Sequence, residues 1–179
     1  MNIKTLVNLV ICSSVSGTLS GQPLVGETPS KARSVDDSYI SWKEHLIDDP
    51  VLSGVPFSGS DGLVMADLDL DGFEDIVSVH ESDSNYDSTV PGETPEAMGH
   101  VRIAFGSDDP DKWVNITLGE GADASAAEDA AISDVNGDGF PDIMVAAELS
   151  HLIYFQNPGQ NIRTQAWERL ILPMTQGRG

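Results

Sequence analysis

The chain is poor in cysteine, in basic residues and in long apolar runs, and each shortage removes a class of function. Cys12 is the single cysteine, which leaves no disulfide framework, no thiolate zinc site and, past the N-terminal segment, no cysteine nucleophile. Nine Lys and Arg stand against 29 Asp and Glu, for a net charge of −20 and a pI near 4.1. Phosphate backbones need a basic surface, so nucleic acid is excluded as a partner. An unaided grip on anionic lipid is excluded on the same ground. The longest apolar stretch, Leu6 to Val15, is broken by Asn8 and is too short for a membrane-spanning helix. Catalytic signatures are missing too: there is no G-x-S-x-G, no H-E-x-x-H and no glycine loop fit to cradle phosphate. The four histidines, His45, His80, His100 and His151, are scattered, each in or beside a predicted strand, where packing or surface roles are expected.

Two short acidic loops fill the space these absences leave. Asp67-Leu-Asp69-Leu-Asp71-Gly72-Phe73-Glu-Asp75 and Asp134-Val-Asn136-Gly-Asp138-Gly139-Phe140-Pro-Asp142 carry oxygen-bearing side chains at positions 1, 3, 5 and 9, Gly at 6 and Phe at 7. Calcium takes about six to eight oxygens at about 2.3–2.6 Å, mixing carboxylates with backbone carbonyls. Alternate side chains at 1, 3 and 5 converge only if the chain curls, and the glycine at 6 permits the curl. The Phe73 and Phe140 carbonyls are then placed to supply the ligand at 7. Two structural Ca²⁺ sites are expected.

The flanks decide the kind of loop. An EF-hand needs a Glu at position 12, where this chain has Ser78 and Val145, and it needs helices on both sides. Leu63–Ala66, Ile76–Val79, Ala130–Ile132 and Ile143–Ala147 are instead short apolar runs bounded by Gly and Asp, which read as strands. A dockerin-like reading fails because it wants helices and a shorter period. The loops recur 67 residues apart, and Trp42, Trp113 and Trp167 mark the same repeat. Further apolar runs at His100–Gly106 and His151–Gln156 bring each unit to about four strands, the content of one propeller blade.

With loops and period together, the chain resembles the FG-GAP or VCBS-type repeat family, the integrin-α-like β-propellers, over roughly residues 39–173. The resemblance implies an all-β fold of four-stranded antiparallel blades. It also implies one Ca²⁺ per loop, held by Asp67, Asp69, Asp71, the Phe73 carbonyl and Asp75, and by Asp134, Asn136, Asp138, the Phe140 carbonyl and Asp142. Such propellers commonly close with about seven blades, so two loops and a leading strand read as an incomplete, N-terminal part. A third loop is expected near position 190, and the chain ends at Gly179.

The remaining organisation follows from composition. Lys4, the apolar stretch after it and the small residues Ser16–Gly21 read as a secretory signal peptide over 1–21, so the protein is expected outside the cell. Residues 22–38 read as a flexible leader, and 39–179 as the repeats. Glu81 to Gly99 reads as a surface insertion in the first unit, and the Asn115-Ile-Thr117 sequon, lying on a predicted strand, as incidental. Two functions stand at this point. One is a secreted, non-catalytic module that binds an extracellular protein or carbohydrate. The other is the front part of a carbohydrate-active lyase or dehydratase built on a propeller, to which His80 and His151 would contribute and of which Asn157-Pro-Gly159 is reminiscent.

Overall fold

The computed structural model describes residues 28–37, 39–82, 89–90, 98–148 and 151–173. The signal peptide expected over 1–21, most of the 81–99 insertion and the last six residues lie outside them. The chain divides into two units, Met1–Glu44 and His45–Gly179. The first contains a hairpin of β1 (Thr28–Arg33) and β2 (Tyr39–Trp42), paired antiparallel. Within the stretch 22–38 read as a flexible leader, Thr28–Arg33 is thus a strand, while residues 22–27 lie outside the described ones. The hairpin closes through a tight turn in which Asp37 N–H donates to the Ser34 carbonyl at 3.0 Å, with Asp37 at φ 65. Arg33 Nη1 donates to the Asp37 carbonyl at 2.9 Å. Aspartate tolerates the left-handed region better than most residues, so an acidic linker-like sequence closes a turn.

The second unit holds two four-stranded antiparallel meanders. The first blade is β3 (Ser60–Ala66), β4 (Asp75–His80), β5 (Gly99–Phe105) and β6 (Val114–Gly121). The second is β7 (Ala127–Ser133), β8 (Asp142–Ala147), β9 (His151–Gln156) and β10 (Glu168–Pro173). The all-β fold and the four-strand unit are as expected. Each acidic loop joins the first two strands of its blade, and Trp113 and Trp167 each stand one residue before the fourth. Trp42, by contrast, ends β2 in the hairpin.

Strand alternation sets the core. Val77 and Val79 on β4 and Val101, Ile103 and Phe105 on β5 belong to one apolar cluster with Ile143, Val145, Ile153 and Phe155 of the second blade. All are at most 1 % exposed, so burial on folding contributes roughly 1.5–3 kcal/mol for each such side chain. The blades meet backbone to backbone at Gly62, where a Cβ would lie 2.8 Å from Asp129 Cα and the Glu128 carbonyl oxygen. Only glycine fits there.

The opposite face of the first blade is polar and is covered by the segment that precedes it. Asp49 caps α1 (Pro50–Ser53), accepting from the Val51 and Leu52 amides at 2.8 and 3.1 Å, and Gly54 ends it at φ 69. Asp48 pairs with Arg102 through both Nε and Nη2, while Arg102 Nη1 donates to Thr117 Oγ1 at 2.6 Å. Phe57 lies 4.5 Å from the His80 ring and 5.0 Å from the Arg102 guanidinium. A buried pair of this kind fixes geometry more than it adds stability. Asn115 Nδ2 donates to the Ile47 carbonyl at 2.9 Å, so the sequon nitrogen is already committed.

Candidate metal centre

Each acidic loop is a cage of backbone amides closed on carboxylates. In the first, Asp67 accepts from Asp71 N–H at 3.0 Å and Gly72 N–H at 2.9 Å, and Asp71 accepts from Phe73 N–H at 3.0 Å. In the second, Asp134 accepts from Gly137, Asp138 and Gly139 N–H at 2.8, 3.1 and 3.0 Å, and Asp138 accepts from Phe140 N–H at 3.0 Å. The glycines at position 6, Gly72 and Gly139, adopt φ 96 and 93. The curl expected from sequence therefore forms in both. Position 4 also turns left-handed, with Gly137 at φ 78 and Leu70 at φ 60. The sequence gives no sign of this in the first loop, since leucine bears a cost of order 1 kcal/mol there.

Asp67, Asp69 and Asp71 each bring one carboxylate oxygen to within 4.8 Å of the others, a spacing that could hold a metal ion. Asp69 Oδ1 is buried with no hydrogen-bond partner. An orphaned anionic oxygen in a cluster of carboxylates fits a cation. Asp75 is not one of this trio. Its carboxylate is fully buried and accepts from Leu68 N–H and Gly106 N–H, both at 2.9 Å, tying the loop to β5. Burial pushes its pKa up to about 6; the two amides oppose the shift, and the charges of Asp69 and Asp71 add to it. Asp142 plays the same part in the second loop, accepting from Val135 N–H at 3.0 Å, Asn157 N–H at 2.8 Å and the Tyr154 hydroxyl at 3.0 Å. Asn136 accepts from Asp138 N–H and donates to Asp138 Oδ2, both at 2.9 Å. The Phe73 and Phe140 carbonyls follow the caged amides in each loop.

Two residues reach these loops from far along the chain, and sequence reasoning missed both roles. Asn157, 2 % exposed, donates from Nδ2 to the Leu68 carbonyl at 2.9 Å and the Pro141 carbonyl at 2.8 Å, touching both loops at once. Arg163 donates to Asp69 and Asp71 of the first loop. A third group, Glu81, Glu128 and Glu148, gathers at the opposite ends of the strands, where β4 and β8 finish and β7 begins.

Three of the four histidines are buried in the sheets, and the fourth, His45, meets Asp111 Oδ1 from Nδ1 at 2.7 Å nearer the surface. His80 Nε2 meets Ser78 Oγ at 3.0 Å, His100 Nδ1 meets Ser82 Oγ at 2.9 Å, and His151 Nε2 meets the Asp123 carbonyl at 2.9 Å. Burial holds His80 below the usual histidine range, Asp48 and Asp61 opposing, His100 and Arg102 adding. Burial also depresses His100, with Glu120 and the Met98 backbone opposing and Arg102 adding. A depressed histidine binds its proton more readily in the unfolded chain, so its contribution to stability is lost as pH falls below the unfolded value of about 6.5. Asp75, raised to about 6, acts with the opposite sign over part of that window. The double variant His80→Gln/His100→Asn should therefore lose less melting temperature than the parent between neutral pH and pH 5. Parallel melting curves for parent and variant would contradict it.

Among the described residues no helix is long and apolar enough to cross a membrane. No curated protein and no solved structure matches the chain. Residues 126–160, which take in β7, the second acidic loop, β8 and β9, match the family model of the FG-GAP repeat, the family that the loops resemble.

Proposed function

We propose that this is a secreted, non-catalytic propeller module of the FG-GAP/VCBS type, stabilised by calcium, that makes contact with an extracellular protein or carbohydrate. The observation that carries the calcium reading is the repeated cage, with Asp69 Oδ1 left as a buried oxygen without a partner. The proposed ligands are Asp67, Asp69, Asp71, the Phe73 carbonyl and Asp75 in one loop, and Asp134, Asn136, Asp138, the Phe140 carbonyl and Asp142 in the other. Bound calcium would supply charge neutralisation there and nothing catalytic. The chain's own part is to hold the oxygens: backbone amides orient the carboxylates at positions 1 and 5, and the closing aspartates anchor each loop to the sheet. Because the amides are in place beforehand, little ordering remains to oppose binding.

Calcium calorimetry on the protein tests this. Two sites are expected, each with a dissociation constant on the order of 10⁻⁴–10⁻³ M, suited to extracellular calcium. Asp67→Asn and Asp134→Asn should each remove one site and leave the other. Heat that survives both substitutions together would place calcium elsewhere, and no heat at all would end the calcium reading.

A further inference from the structure

The two loops meet the same electrostatic problem with different donors. In the second, Asn136 at position 3 turns its amide onto the position-5 carboxylate, Nδ2 to Asp138 Oδ2, at 2.9 Å. In the first, position 3 is Asp69, which has no proton to donate. The donor there comes from the second blade. Arg163, in the connection between β9 and β10, directs Nε at Asp69 Oδ2 from 2.7 Å and Nη2 at Asp71 Oδ2 from 3.0 Å. Nη2 also lies 2.7 Å from Asp69 Oδ2. The guanidinium stands 4.9 Å from the centroid of the buried Phe105 ring, which limits where it can go.

We infer that Arg163 is a built-in counter-cation for the first loop, tying the second blade to it when no metal is bound and weakening its hold on calcium. The inference rests on reading the loops as calcium sites. Ligand charge alone ranks the first loop as the tighter, since it offers four aspartates where the second offers three and Asn136. Arg163 reverses that order. Its charge is permanent at any accessible pH. It occupies one oxygen of each of two ligand carboxylates, so an incoming divalent ion must share or displace charge-assisted bonds. Repulsion between a fixed guanidinium and a divalent ion a few ångströms away outweighs the benefit of having two side chains already ordered.

The test is calcium calorimetry with one loop disabled at a time, Asp134→Asn to read the first and Asp67→Asn to read the second. The first loop should bind more weakly than the second. Adding Arg163→Gln should tighten the first about tenfold and leave the second unchanged, whereas Arg163→Lys should keep it weak. In chelator, Arg163→Gln should melt below the parent, and calcium should close most of that gap. Two binding loops with the first unchanged or weakened by Arg163→Gln would overturn the inference and leave the calcium reading standing. No calcium heat in the parent or any variant would overturn both. Should Arg163→Gln not fold, the ranking of the two loops decides, because a tighter first loop in proteins that keep Arg163 overturns the inference alone.

Discussion

The protein should melt about 10–20 °C higher in 10 mM calcium than in EDTA. A ligand bound only by the folded state stabilises by RT ln(1 + [L]/Kd), about 2.7 kcal/mol at a hundredfold excess over Kd. Two loops with Kd on the order of 10⁻⁴ M therefore contribute about 5 kcal/mol at that concentration. His45–Gly179 lies near the 150-residue class, for which each kcal/mol moves the midpoint by roughly 2–4 °C. The size of the effect comes from the chelated state as much as from the bound one. Without a cation, the first loop holds three carboxylates within 4.8 Å of one another, relieved in part by Arg163. Covalent staples are no substitute in a chain whose single cysteine is Cys12. Scans that coincide in calcium and EDTA would reduce the loops to hydrogen-bonded turns and remove the reason for the charge they carry.

Substitution at the loops will not behave as simple ligand deletion. Asp67 and Asp134 each accept from backbone amides as well as offering oxygen to a cation. Alanine there should cost stability in EDTA too, by about 1–3 kcal/mol for the orphaned donors, with a further loss visible only in calcium. The asparagine variants keep one of the two accepting oxygens, so the loss in EDTA should be smaller than for alanine while the calcium-dependent loss remains.

What could be read from the sequence was local. The loops were legible because oxygens at 1, 3, 5 and 9 and glycine at 6 fall within nine consecutive residues, and both glycines adopt the positive φ that the curl requires. The strands were legible because Ile76–Val79 and Ile143–Ala147 are short apolar runs bounded by Gly and Asp, and Val77, Val79, Ile143 and Val145 in them are fully buried. What could not be read was made by contacts between distant residues. Nothing near Asn157 or Arg163 announces that they will meet Leu68, Asp69 and Asp71 some 90 residues earlier. The glutamate trio, one from each of three strand ends, was hidden for the same reason. Leu70 hid differently, since a branched apolar residue gives no hint of a left-handed backbone and only the fold holds it there. The Thr28–Arg33 strand was missed because its sequence is polar and linker-like, and pairing with Tyr39–Trp42 supplies what propensity does not.

Asn157→Ala should lower the unfolding free energy by about 3–5 kcal/mol, because a buried side-chain amide that serves three backbone groups at once would be lost. The Asn157 side chain donates to the Leu68 and Pro141 carbonyls and accepts from Gly159 N–H at 2.8 Å, while its own N–H donates to Asp142. Alanine keeps the last bond and strands the other three groups, each of which then bears its desolvation without a partner. Asn157→Asp separates chemistry from volume. The aspartate fills the same space, yet presents an anion to two carbonyl oxygens beside two acidic loops, so it should be at least as destabilising as alanine. Urea unfolding in saturating calcium is the measurement, since urea, unlike guanidinium chloride, adds no ions of its own. A near-neutral Asn157→Asp would mean that the residue acts only as packing. A loss of the expected size, accompanied by weaker calcium binding at both loops, would make Asn157 the strut through which the second blade fixes the ligand geometry of the first.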